Sequence, residues 1–207
     1  MTGNYVITIA RGYGSGGTAI GKKLSEELNI NYYDRQLIRM ASDDSGIHER
    51  LFGEADERIK LSTLFRLGSS PYDGSLIPPE SAGFVSDKNL FGYQAKIIKE
   101  LAEKESCVIM GRCADFILKD RPNVVKVFVH ASEEFRIQSI MERTDCSRRD
   151  AERDIKSIDR YRSEYYKHYT GNDWQNVCNY DLSLNSEELG FDKCAEIVKS
   201  YLNIRFR

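Results

Sequence analysis

The chain has 207 residues, 41% hydrophobic and 30% charged, and its 30 Lys and Arg against 32 Asp and Glu leave a net charge of −2. That composition suits one globular domain large enough to fold without disulfides or metals, and it excludes wholesale disorder and a collagen-like chain. The near-neutral balance gives no electrostatic basis for nonspecific nucleic-acid or membrane binding, no apolar run approaches the roughly 18 residues a membrane span needs, and Met1-Thr2-Gly3-Asn4 lacks the basic start of a signal peptide.

Residues 5–10 form a short, β-branched apolar run, which predicts a strand buried on both faces. Gly12, Gly14, Gly16 and Gly17 follow, and then Ala19, Ile20, Leu24 and Leu28 recur at helical spacing. The chain thus opens strand, glycine loop, helix. A short strand is expected at 31–34, and a helical stretch at 36–60 with Leu37, Ile38, Ile47, Leu51 and Ile59 on its apolar side. Between Gly68 and Asp87 the composition turns to Ser, Gly and three of the four prolines (Pro71, Pro78, Pro79), which predicts a long loop. A helix at 88–105 and a strand at 107–110 come next, then a strand at 124–130. Ser132 with Glu133 and Glu134 supplies an N-cap and first-turn acids for a helix to about Arg143. Ser147 with Asp150 resembles a capping box and opens a long polar helix. A strand at 180–184 and a helix at 188–203 complete the alternation of an α/β domain with a parallel sheet.

The glycine loop reads two ways. Gly12-Tyr13-Gly14-Ser15-Gly16-Gly17 fits GxGxxG after a strand and before a helix, with Asp34 about 20 residues on, as a dinucleotide-binding fingerprint asks. Against GxxxxGK[ST], residues 11–18 put Arg11 at the first glycine and Gly17 at the lysine, and match Thr18 at the end. Both readings bind phosphate, because backbone N–H groups and a helix N-terminus converge on an anion. The rest of the chain favours phosphoryl chemistry over hydride transfer. Residues 136–162 hold seven of the 17 arginines (Arg136, Arg143, Arg148, Arg149, Arg153, Arg160, Arg162), a density suited to a lid over phosphates. Five strands also leave no room for the second domain that a dehydrogenase usually needs. The five cysteines, Cys107, Cys113, Cys146, Cys178 and Cys194, are widely spaced with no CxxC. They read as thiols in a cytoplasmic protein rather than as a disulfide framework or a zinc site.

In order along the chain stand residues 9–17 (IARGYGSGG), 32–35 (YYDR), 108–114 (VIMGRCA), 159–162 (DRYR), 165–171 (YYKHYTG) and 180–182 (YDL). Together they resemble the cytidylate kinase-like family, with residues 61–87 the weakest part of the match. That family is similar to the nucleoside monophosphate kinases, which are P-loop phosphotransferases. The resemblance implies a three-layer P-loop NTPase fold: a five-stranded parallel sheet in the order 2-3-1-4-5, flanked by helices, with a helical lid. It implies a single domain over 1–207. Its core would be 1–35, 105–135 and 178–207, its acceptor-binding segment 36–104, and its lid with long helix 136–177.

The resemblance further implies ATP and Mg²⁺ as cofactors and nucleotides as small-molecule substrates, with CMP or dCMP as the acceptor; a homo-oligomer is compatible with it. Gly14, Ser15, Gly16, Gly17 and Thr18 would cradle the donor's phosphates, beside Arg11, Gly12 and Tyr13. Thr18 would offer its hydroxyl to Mg²⁺. Asp34, at the end of the second strand, would orient the acceptor or hold the metal through water. Arg112 would grip the acceptor's phosphate at the end of the third strand, where ligands sit in such sheets. Arg160 and Arg162 would act from the lid. One departure stands out: Gly17 fills the lysine position, and Arg11, Lys22 or a lid arginine would have to replace that charge. Two other readings stay open at this stage. One is a catalytically weak nucleotide-binding regulator, and the other is an NAD-binding oxidoreductase.

Overall fold

The computed structural model describes residues 3–61 and 71–206. Strand β1 (Val6–Arg11) lies at the centre of a five-stranded sheet, and Val6 to Ala10 are all buried. That is where a β-branched apolar run belongs when both faces of a parallel sheet are covered. β3 (Cys107–Met110) pairs with β1 on one side and β4 (Val124–His130) on the other. β2 (Asn31–Tyr33) pairs with β3, β5 (Leu182–Asn185) pairs with β4, and every pairing is parallel.

The order β2-β3-β1-β4-β5 separates the two readings of the glycine loop. In the usual dinucleotide fold the second strand lies beside the first, so that its terminal acid reaches the ribose. Here β3 intervenes, and strands about 4.8 Å apart put the end of β2 two spacings, ~10 Å, from β1. Asp34 is not placed as the dinucleotide fingerprint requires, and the oxidoreductase reading falls with it.

Helices cover both faces. On one, α1 (Gly17–Leu28) and α8 (Ser186–Arg205) pack Ile20, Leu24, Val198 and Leu202 against Ile7, Ile9, Val127 and Val129. On the other, α2 (Gln36–Ser45), α3 (Glu49–Leu61), α4 (Asp87–Lys104) and α5 (Ala114–Ile117) gather Leu37, Phe52, Leu90 and Ile98 over Val6, Cys107 and Ile109. Side chains such as Ile9, at 0% exposure, each contribute about 1.5–3 kcal/mol through burial. After β4 come α6 (Glu133–Thr144) and α7 (Arg148–Thr170), joined by Ile137, Ile140, Ala151 and Ile155. The second half of α7 buries Tyr165, Tyr166 and Tyr169 with Phe91, Phe128 and Trp174, so these aromatics form core.

Helix starts follow local chemistry. Ser86, Ser132, Ser147 and Asn185 each accept a hydrogen bond from a first-turn backbone N–H at α4, α6, α7 and α8, a contact typically worth about 1 kcal/mol. Where the sequence suggests one helix over 36–60, the chain makes two, because Gly46 closes α2 with its N–H on Ser42 O. The described part of the proline-rich stretch, 71–86, is a loop, as expected. It is tied down by Tyr72 N–H donating to Tyr169 O (2.9 Å) and by Asn89 bonding Ile77 and Phe84. Ile59's side chain and residues 62–70, including Gly68, lie outside what is described. α5 and the 3₁₀ turn Val177–Asn179 are too short to show a periodicity.

Candidate functional site

The loop from β1 to α1 closes on itself. Gly12 N–H donates to Val129 O (3.0 Å), and the buried Ser15 hydroxyl donates to Gly12 O (2.9 Å) with Val129 O beside it (3.0 Å). Ser186 ties the loop to the start of α8 through Ser15 O (2.7 Å). Gly14 and Gly16 take φ of +84° and +78°, a region side chains rarely enter. A Cβ at Gly14 would also meet Arg136 O at 2.8 Å, and one at Gly16 would run into the Phe191 ring.

This loop opens on a cleft of about 340 Å³ lined by the N-terminal turn of α1. Unlike α4, α6, α7 and α8, α1 has no side-chain cap and no acid in its first turn. Its first in-helix donor is Ile20 N–H to Gly16 O, so the preceding N–H groups and the positive end of the helix are left for a ligand. Arg11, Lys22, Arg143 and Arg162 line the same cleft, and no carboxylate lines it among the described residues.

Of the residues singled out in the sequence, Arg11, Gly12, Tyr13, Gly14, Gly16, Gly17, Thr18 and Arg162 all line this one cleft. Ser15 does not. Its side chain is fully buried and its N–H donates to Gly12 O (3.3 Å), so it shapes the loop from behind. Arg160 does not either: it is exposed and pairs with Glu164 at 2.9 Å, one helical turn along the outer face of α7.

Arg11, Asp34 and Arg112 meet across the carboxyl ends of β1, β2 and β3. The Arg11 guanidinium is buried deeply enough to depress its pKa, opposed by the Asp34 carboxylate and reinforced by the neighbouring Arg112 charge. Arg112 takes φ +55° directly after Gly111 and lies 5.9 Å from the Tyr165 ring. The Tyr32 hydroxyl, beside Thr18 and Asp34, is buried without a well-formed hydrogen bond; burial and then Asp34 push it up to about 12.

Two residues carry contacts that sequence reasoning assigned to neither. Asp159 accepts from Tyr13 N–H (2.8 Å), pairs with Arg136 and lies 3.5 Å from Arg162, while Arg136 also reaches Tyr13 O (3.5 Å). They clamp the glycine loop to α6 and α7. Arg162 donates to Arg11 O (3.0 Å), and burial followed by the Arg11 charge pushes it down to about 10. Arg143 and Arg162 both lie over the Tyr13 ring, at 5.5 and 5.7 Å. Phe191, just after Gly190 bends α8 (φ +73°), was likewise not foreseen, and no local pattern marks it.

The donor set fits a phosphate-borne Mg²⁺. This hard cation takes oxygen ligands and shares them with substrate phosphates. Thr18 in the cleft and Asp34 beside Tyr32 supply a hydroxyl and a carboxylate of that kind. Among the described residues, no group of three His, Cys, Asp or Glu forms a cage that would hold a metal without phosphate.

Comparison with known proteins places the chain. The sequence model described as the cytidylate kinase-like family matches residues 6–188. A cytidylate kinase from Sulfurisphaera tokodaii is 25% identical over 198 residues, covering 96% of this chain and 95% of that one. An uncharacterized protein from Eubacterium ventriosum has a crystal structure that aligns with a TM-score of 0.70 at 24% identity, over 97% of this chain and 99% of the other. A shikimate kinase from Bacteroides thetaiotaomicron shares the fold at TM-score 0.52 and 14% identity, over 96% and 98% of the two chains.

Proposed function

Because the chain belongs to the cytidylate kinase-like family, we propose that it transfers the γ-phosphoryl group of ATP to a nucleoside monophosphate, with CMP or dCMP as acceptor. One observation carries this reading: among the described residues, four cationic side chains and no carboxylate line the cleft at the uncapped N-terminus of α1. That is the electrostatic complement of a polyphosphate.

In this reading the glycine-loop N–H groups and Lys22, Arg143 and Arg162 hold the donor. Arg112 and Asp34, at the ends of β3 and β2, face the acceptor. Transfer breaks the bond from the γ-phosphorus to the bridging oxygen, releasing ADP, and forms a bond to an oxygen of the acceptor's phosphate. That oxygen is already ionised, so the chain need supply no general base. Its contribution is alignment and charge neutralisation. Thr18 would hold Mg²⁺, with Asp34 through water, and the ion would supply charge neutralisation to the phosphates. The segment 36–104 would bind the acceptor, and residues 136–177 would act as the lid that excludes water.

A coupled assay with ATP–Mg²⁺ and a panel of CMP, dCMP, UMP, AMP and GMP tests this. Turnover should be fastest with CMP or dCMP. If ATP binds and no acceptor is phosphorylated, the chain is a nucleotide-binding regulator instead. A thermal shift with ATP–Mg²⁺ but none with NAD is expected alongside.

A further inference from the structure

In an ordinary phosphate loop the first position is glycine and the seventh is the lysine that serves the β- and γ-phosphates. Here these two residue types stand reversed, as Arg11 and Gly17. The structure explains why they change together. A Cβ on Gly17 would lie 2.6 Å from Arg11 Cβ and 3.0 Å from its Cγ. Those atoms are the stem of the arginine, not its flexible end, so no side chain at 17 coexists with this arginine. From Gly17 the Arg11 side chain runs across the end of β3. There its Nη1 would stand 2.5 Å from a Cβ on Gly111, whose φ of +63° already disfavours any side chain.

The guanidinium is desolvated, and its Nε is buried with no hydrogen-bond partner. A buried cation with unmet donors is costly unless an anion arrives to meet them. It lines the donor cleft, yet it also feels the Asp34 carboxylate and, less strongly, the Arg112 charge on the acceptor side.

We infer that Arg11 carries the charge of the missing lysine, delivered from the strand end instead of the helix start, and that it contacts the phosphoryl group between donor and acceptor. This rests on the phosphotransfer reading above. Arg11 would be a catalytic residue, with Gly17 and Gly111 as the space it needs. A planar fork at that point spans oxygens of two phosphates, which a point charge does not.

The test combines calorimetric binding of ATP and ADP with steady-state kinetics. Arg11→Gln should lower kcat roughly 100-fold and weaken ATP roughly 10-fold more than ADP, with the melting temperature held. Arg11→Lys, which keeps a charge with less reach, should fall between wild type and Arg11→Gln. Gly17→Lys alone should melt earlier and turn over poorly. The double variant Arg11→Gly/Gly17→Lys, which restores the ordinary pattern, should recover about tenfold over Arg11→Gly, a coupling far beyond additivity.

The inference is overturned if Arg11→Gln turns over within threefold of wild type, or if the double variant is no better than Arg11→Gly. If wild type phosphorylates no acceptor, the kinase reading fails separately. The ATP affinities then decide the role of Arg11: a selective loss in Arg11→Gln upholds it as a phosphate ligand, and an unchanged affinity overturns it.

Discussion

The two faces of α7 carry the same residue types to opposite ends. On the outer face Arg153 and Arg160 pair with Asp150 and Glu164 a helical turn away, and both are exposed, as is Arg148, which pairs with Glu152 and with Glu134 of α6. Such pairs in water are worth little, because screening and side-chain entropy offset the attraction. On the inner face Asp159 and Arg162, at 17% and 20% side-chain exposure, meet Tyr13, Arg11 and Arg136. One turn beyond Arg162, the Tyr166 hydroxyl donates to the buried Asp115 at 2.6 Å. Arg162 too has an acid, Asp159, three residues away, so what separates it from the outer arginines is burial against the glycine loop.

The contrast predicts a graded series. Arg162→Gln should have the largest effect, about 100-fold on kcat/KM, since it removes a desolvated charge from the donor cleft; steady-state kinetics with ATP varied will show it, and a loss below tenfold would put Arg162 with the outer arginines. Arg112→Ala should raise the acceptor's KM by about 30-fold, equivalent to ~2 kcal/mol of a charged hydrogen bond, while the donor's KM changes little. Equal effects on both would remove it from the acceptor side.

The third prediction concerns pH. Asp115 is raised to about 6 by burial, opposed by the Tyr166 hydroxyl. Its folded pKa lies above its unfolded value, so the native state binds the proton more tightly between about pH 4 and 6. Its contribution is most favourable below that window and is lost as pH rises through it, by roughly 2–3 kcal/mol. Urea unfolding of wild type against Asp115→Asn across pH 4–7 should show the wild type losing ground by that amount as pH rises; a flat difference refutes it. The smallest effect belongs to Arg160→Ala, whose turnover should stay within about twofold of wild type and whose stability should change by under ~0.5 kcal/mol. A larger kinetic loss would mean that Arg160 reaches the cleft when ligand is bound.

Much of the framework was legible. β3 and β4 fall where their apolar runs end, and Ser132 and Ser147 cap α6 and α7 as their spacing with the following acids suggests. Gly46 splits the expected helix at 36–60, a break that apolar periodicity alone does not register. In the site, the strand–glycine loop–helix unit was readable from the apolar run and the glycines that follow it. The ties from Asp159 to Tyr13, 146 residues apart, and from Arg162 to Arg11, 151 apart, were not, because no local rule links such positions.

What the sequence by itself determined were features set by neighbours in the chain: strands from β-branched runs, helix starts from serine caps, and a glycine turn between the first strand and the first helix. Only the tertiary structure decided which of two loop readings holds, since the placement of β3 between β1 and β2 depends on how whole strands pack. Only it sorted the arginines into exposed and desolvated sets, and only it showed Arg11 and a side chain at Gly17 competing for one space. Burial and excluded volume are properties of the assembled fold, and charge takes its strength from the dielectric that the fold creates.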